Sequence, residues 1–224
     1  MLDSTLQSFW TQPLLPNEAR ILNPNAQRIL TEKFLLPHLQ ELETYLLAVR
    51  TRLDPELNAL QSEKLGKRYP LGQCLEIAEA VQTLLLKIEI SELPIHAITG
   101  YVAMRKFLRA GGIFRQVWGD LRGQYFQNAF QLGTLYVDVA NDTVVPTKPK
   151  VEILPFAEAQ FIPIRDFEHF SLIANRYWQH EIYPNHVLPA LAPFCPLIHV
   201  NKQGKIQFHD ATDYMLAMTR RMAF

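Results

Sequence analysis

The hydrophobic period changes after Gly111-Gly112, and this change constrains the fold more than any other feature of the chain. Before the two glycines, apolar residues recur at helical spacing, and after them apolar and polar residues alternate as they do in strands. The first part predicts helices over residues 1 to about 65, from Cys74 to Ile88, and from about Pro94 to Ala110. The second part predicts strands over Ile113 to Trp118, Gln124 to Leu132 and Leu135 to Val139. Runs of helices followed by runs of strands predict an α+β fold, with a helical N-terminal region packed on a small antiparallel sheet.

The N-terminal helical region shows one apolar stripe with charged residues between its members. Pro37 is expected to kink or split this helix, and Asp54-Pro55 is expected to end the pattern or open a new turn. We therefore predict a helical region over residues 1–65 and an α+β domain over residues 66–224, with one compact unit as the alternative. The stripe consists of Ile29, Leu30, Phe34, Leu35, Leu39, Leu42, Leu46, Val49 and Leu53.

The last third of the chain carries further turn and helix signals. Gly133-Thr134 predicts a hairpin, and Asn201 to Gly204 predicts another. The other predicted elements are an edge strand over Val151 to Leu154, a helix over Asp166 to Glu181, strands over Leu197 to Val200 and Ile206 to Phe208, and a final helix capped by Asp210 and running through Met222.

Charge and composition exclude several classes of protein. Lysine plus arginine and aspartate plus glutamate number 22 each, so the chain lacks the concentrated positive field of a nucleic-acid-binding protein. Two cysteines in 224 residues do not make a disulfide framework. No basic segment precedes an apolar core at the N-terminus, and the apolar stretch Leu188 to Val200 is too short to span a bilayer. We expect a soluble cytoplasmic protein that binds neither nucleic acid nor membrane, with export without a cleavable signal as the alternative.

One cysteine lies where a helix begins, in the segment Tyr69-Pro-Leu-Gly-Gln-Cys74. Unpaired amide groups and the helix dipole at such a position favour the reactive thiolate. The alternative is a packed thiol, because Cys74 shares the apolar stripe of its helix with Ile77 and Val81 and free cysteine is commonly buried.

A metal-dependent hydrolase is a third and least favoured interpretation, in which three side chains converge if the chain turns at Pro184. His180, Glu181 and His186 cluster in sequence around a Tyr-Pro-Asn turn, but their spacing matches no metal-binding signature. We expect neither a metal nor another cofactor.

The segments around this cysteine resemble the core of the transglutaminase-like cysteine hydrolases, within the wider papain-like group. Tyr69 to Cys74 is similar to the nucleophile segment, and the residues from Gly112 to Gly119, from Gln124 to Gly133 and from Thr134 to Asp138 are similar to the strands that follow it. The resemblance covers about residues 69 to 142. It implies that Cys74 is the nucleophile position and Asp138 the carboxylate that orients the imidazole. The histidine position falls on Gln127 without a gap or on Gln124 with a one-residue shift.

Neither glutamine can accept a proton from a thiol, so neither can act as the general base. Two interpretations follow. The favoured one is a degenerate transglutaminase-like domain, a pseudoenzyme that binds a protein or peptide through the groove beside the Cys74 helix or through its N-terminal helices. The alternative is an active thiol hydrolase or acyltransferase that takes its base from a non-standard position, with His96 as the nearest candidate.

Overall fold

The structure is a computed structural model that describes residues 13–64, 66–209 and 212–222. The chain forms two compact units. The larger unit consists of residues 19–163, and the smaller unit combines residues up to 18 with those from 164 onward. These limits differ from the predicted boundary at residue 65, because the early helices share a hydrophobic core with the Cys74 helix and the sheet.

Helices make up most of the larger unit between residues 24 and 109. Residues 13–23, which belong to the predicted helical region over residues 1–65, contain no helix, and residues 1–12 of that region lie outside the described residues. Pro37 separates the first two of them, as predicted, and lies in a short 3₁₀ helix. The expected end at Asp54-Pro55 is wrong, because the second helix continues through Pro55 to Leu60. A proline inside a helix removes one backbone hydrogen bond and its ring crowds the carbonyl four residues earlier. The ion pairs of the Asp54 carboxylate with Arg50 and Lys150 offset this cost. The helices are α1 (Pro24–Phe34), α2 (Leu39–Leu60), α3 (Cys74–Lys87) and α4 (Ile98–Arg109), with 3₁₀ helices at Leu36–His38, Ile90–Glu92 and Ile95–Ala97.

A five-stranded antiparallel sheet follows these helices, and the α+β class is confirmed. The strands are β1 (Glu63–Lys64) and β2 (Lys67–Arg68), which form a separate hairpin, and β3 (Phe114–Leu121), β4 (Tyr125–Leu132), β5 (Leu135–Asp138), β6 (Glu152–Pro155) and β7 (Phe161–Ile162), in the order β6-β5-β4-β3-β7. The predicted turn at Gly133-Thr134 joins β4 to β5, with Gly133 at a φ of 64°. Strand β3 runs beyond the predicted Trp118, and its Gly119 leaves room for the Ile162 carbonyl of β7, which would lie 2.4 Å from an added Cβ.

The two faces of this sheet enter different cores. Phe130, Leu132 and Val137 pack against α2, α3 and α4. Ala129 and Tyr136 point to the opposite face, into a second cluster. Because side chains alternate along a strand, each consecutive pair of residues on β4 is divided between the two faces.

The smaller unit pairs a three-stranded antiparallel sheet with helices. Its elements are α5 (Phe167–Trp178), β8 (Glu181–Pro184), a 3₁₀ helix at Pro189–Leu191, β9 (Leu197–Val200), β10 (Ile206–His209) and α6 (Asp213–Met222), and the strand order is β10-β9-β8. The helix predicted through Glu181 ends earlier, because Gln179 adopts a left-handed conformation and Glu181 begins β8. The predicted hairpin of β9 and β10 is confirmed. The expected cap at Asp210 lies outside the described residues.

Across residues 13–64, 66–209 and 212–222, no helix combines the length and the apolar character needed to cross a bilayer.

Candidate functional site

Cys74 is the first residue of α3, as the sequence predicts, and the segment before it is held on two sides. The Gly72 amide donates a hydrogen bond to the Thr143 carbonyl at 3.0 Å. The buried Gln73 side chain donates to the Gln61 carbonyl at 2.9 Å. The thiol therefore occupies a defined position between the turn after β5 and the end of α2.

The polar neighbour of the Cys74 thiol is an amide. Asn128 donates from Nδ2 to Cys74 Sγ at 3.5 Å, and Asn128 Oδ1 accepts from Gln116 Nε2 at 3.1 Å. Cys74 is only 8% exposed. Burial raises the pKa of the Cys74 thiol, and the hydrogen bond from Asn128 offsets this only in part. The thiol is therefore protonated at neutral pH and is a poor nucleophile.

Asp138 ends β5 and is fully buried. Its carboxylate accepts hydrogen bonds from Gln127 Nε2 at 2.7 Å, from the Ala140 amide at 2.7 Å and from the Tyr136 hydroxyl at 3.0 Å. Burial raises the pKa of Asp138 to about 6, against the lowering effect of these three bonds. Gln127, at the predicted histidine position, thus contacts the predicted orienting carboxylate.

These residues form two groups on opposite faces of β4. Asn128 lies on the face of Phe130, toward α3 and the thiol, whereas Gln127 lies on the face of Ala129, with Asp138. Two adjacent side chains of β4 therefore contact the Cys74 thiol and the Asp138 carboxylate separately, and neither of these two side chains contacts both. An imidazole at position 127 would contact Asp138 but would point away from Cys74.

The other two predicted site residues lie elsewhere. Gln124 is exposed in the turn between β3 and β4, and His96 is exposed in the 3₁₀ helix Ile95–Ala97. Among the described residues, no hydrogen bond joins either side chain to Cys74. Asn128, which does contact the thiol, was not among the predicted site residues. The alternation of Phe126, Asn128 and Phe130 could have predicted this contact, because it places position 128 on the face that meets the helices.

A buried arginine fixes the loop before Cys74. Arg50 on α2 forms ion pairs with Asp54 and, at 3.4 Å, with Asp142 in the turn after β5. The Tyr69 ring lies 5.7 Å from the Arg50 guanidinium, and the Tyr69 hydroxyl donates to Asp54 at 2.6 Å. The guanidinium therefore joins α2, the loop at Tyr69 and the β5 turn.

A groove of about 470 Å³ opens beside the other end of α3. Its apolar walls include Leu47 and Ala48 of α2 and Leu93 from the connection after α3, and His96 lies on its rim. Arg52 of α2 forms an exposed ion pair with Glu92 of the opposite wall, at 2.8 Å. The groove therefore combines an apolar interior with charges of both signs at its edge.

The described residues contain no group of three or more histidine, cysteine, aspartate or glutamate side chains placed to hold a metal ion.

No family model, curated protein or solved structure matches this chain.

Proposed function

We propose that this chain is a catalytically inert relative of the transglutaminase-like cysteine hydrolases and that it binds a protein or peptide partner. The observation that carries the proposal is the contact between Cys74 Sγ and the Asn128 amide. A thiol hydrolase needs an imidazole or another base at this point, and a carboxamide cannot take the thiol proton.

The Gln127–Asp138 pair supports the relationship to the family. In those enzymes the carboxylate orients a histidine on the neighbouring strand, and in this chain a glutamine at the matching position donates to the same carboxylate. The pair lies on the face of β4 away from the thiol, so it cannot relay a proton to Cys74. A helix that begins at a cysteine, a central strand and a carboxylate are therefore retained without the connection that catalysis requires.

The groove between α2 and the Ile88–His96 connection is the proposed binding site. Its interior suits one apolar side chain, such as leucine or phenylalanine, whose burial contributes about 1.5–3 kcal/mol. Arg52 and Glu92 at the rim suit a peptide with charges of both signs beside that anchor. We therefore propose that the partner presents an apolar anchor with flanking charged residues.

Alkylation tests the inert thiol. The protein is treated with iodoacetamide at pH 7, and mass spectrometry follows Cys74 against the less buried Cys195 in the same sample. We expect Cys74 to react at least about 10-fold more slowly than Cys195, because its thiol is buried and protonated. Asn128→His places an imidazole beside the thiol and is expected to accelerate labelling of Cys74.

Two outcomes contradict this part of the proposal. Labelling of wild-type Cys74 as fast as that of Cys195 would mean a reactive thiol. No acceleration in Asn128→His, with the fold intact by circular dichroism, would mean that the lack of a base beside the thiol is not what makes Cys74 inert.

Peptide selection tests the groove. A random peptide library displayed on phage is selected on the wild-type protein, and the enriched peptides are measured against two variants. Leu47→Glu places a charge in the groove and is expected to weaken binding by at least about 10-fold. Leu86→Glu, at an exposed position outside the groove, is the matched control and should bind as the wild type does. Failure to enrich any peptide, or equal binding to both variants, contradicts the assignment of the groove.

A further inference from the structure

Strand β10 is an edge of the three-stranded sheet in the smaller unit, and its alternation leaves apolar side chains in solvent. The strand order is β10-β9-β8, and within the described residues no strand pairs with the outer side of β10. Ile206 is 63% exposed and Phe208 is 46% exposed. An exposed apolar edge of this kind is a template for pairing with another strand.

The register of the sheet extends this apolar surface beyond β10. Phe208 pairs with Ile198 of β9, which pairs with Tyr183 of β8, so these three side chains share one face. Tyr183 is 49% exposed. The same face carries Ile206, its partner Val200 and, at the far edge of the sheet, Glu181, which pairs with Val200. The other edge of the sheet differs, because β8 begins with Glu181 and ends with Pro184, and both residue types discourage strand addition.

The sequence of β10 is complementary to itself. A two-fold axis perpendicular to the sheet would place two copies of β10 antiparallel, with Gln207 opposite Gln207 of the second copy. Ile206 of each copy would then lie opposite Phe208 of the other, and cross-strand pairs of aromatic and β-branched residues stabilise antiparallel sheets. Because the axis keeps the faces of the sheet unchanged, the apolar faces of the two copies would join into one.

We propose that the β10 edge pairs with the β10 edge of a second copy of the chain, in antiparallel orientation, to form a continuous six-stranded sheet. The contact is limited to a short strand and its flanking side chains, so it belongs to the class of small, transient interfaces. The dimer should therefore depend on protein concentration. This inference is independent of the peptide groove, whose residues all belong to the larger unit.

Cysteine cross-linking tests the register. In a Cys195→Ser background, Gln207→Cys places two thiols across the two-fold axis, where antiparallel Cα separations of about 4.5–5.5 Å permit a disulfide. Gln203→Cys, also exposed and in the turn of the same hairpin, is the matched control; its two copies would lie more than about 20 Å apart in this register. We expect oxidation to convert Gln207→Cys to a covalent dimer at least about 10-fold faster than Gln203→Cys.

Sedimentation equilibrium supplies the second measurement. The wild-type mass should rise with concentration from 25.9 kDa toward twice that value, whereas Phe208→Lys should stay monomeric, because it places a charge in the apolar contact. Circular dichroism checks that the variant is folded. A wild type that is monomeric up to about 1 mM, a dimer that persists in Phe208→Lys, or equal cross-linking of the two cysteine variants would each overturn the proposal.

Discussion

Replacing the buried carboxylate of Asp138 should change how the stability of the larger unit depends on pH. Asp138 is fully buried, and its pKa is raised from 3.8 to about 6 because burial disfavours the charged form. Asp138→Asn keeps nearly the same shape and removes the ionisation. The hydrogen-bond acceptor for the Ala140 amide is retained in the asparagine side-chain oxygen.

The direction of the pH effect depends on whether the folded or the unfolded protein binds the Asp138 proton more tightly. Between pH 3.8 and about 6 the folded protein holds the Asp138 proton and the unfolded chain has lost it, so folding is favoured at low pH. This stabilisation is fully present below pH 3.8 and is lost as the pH rises through about 6. The two pKa values differ by an amount that corresponds to about 3 kcal/mol, at 1.36 kcal/mol per pH unit. About 2 kcal/mol of that change falls between about pH 4.5 and pH 7.5.

Urea unfolding at about pH 4.5, 5.5, 6.5 and 7.5 measures the effect. Trp118 of β3 reports on the larger unit when Trp10 and Trp178 are replaced by phenylalanine. We expect the free energy of unfolding of Asp138→Asn, relative to the parent, to rise by about 2 kcal/mol across this range. The exposed Glu158, replaced by glutamine, controls for the loss of one negative charge. A difference that stays constant within about 0.5 kcal/mol, or one that falls with pH, would refute the reasoning.

Two further substitutions test the packing around the site. Arg50→Met should reduce the free energy of unfolding by about 3–5 kcal/mol, because it leaves two carboxylates without their buried partner. Arg52→Met, which removes an exposed ion pair, should cost less than about 1 kcal/mol in the same urea titration. Gly100→Ala should destabilise the protein by about 1–3 kcal/mol, since the new Cβ would lie 2.0 Å from the Glu41 carbonyl. Thr99→Ala, exposed on the same helix, is its control, and a stabilised Gly100→Ala would show that α4 can move away from α2 without cost.

The order of helices and strands was largely readable from local patterns. The apolar period located α3, α4 and the strands β3 to β5, and glycine located the turn at Gly133. Predictions from local sequence were wrong where contacts with residues distant in sequence decided the structure. Pro55 was expected to end α2, but the helix continues, with Asp54 held by Arg50, Lys150 and Tyr69. Strand β8 was missed because the left-handed residue that ends α5 is a glutamine, which carries no turn signal.

The residue types of the candidate site could be predicted from the sequence, but the contacts between these residues could not. The sequence alone determined that a cysteine begins a helix, that an aspartate ends a strand and that the strand between them carries amides where a base would be needed. Only the tertiary structure decided that Asn128 contacts Cys74 and that Gln127 contacts Asp138. The physical reason is the two-residue period of a strand: adjacent side chains point to opposite faces, and which face meets α3 depends on packing between segments more than fifty residues apart.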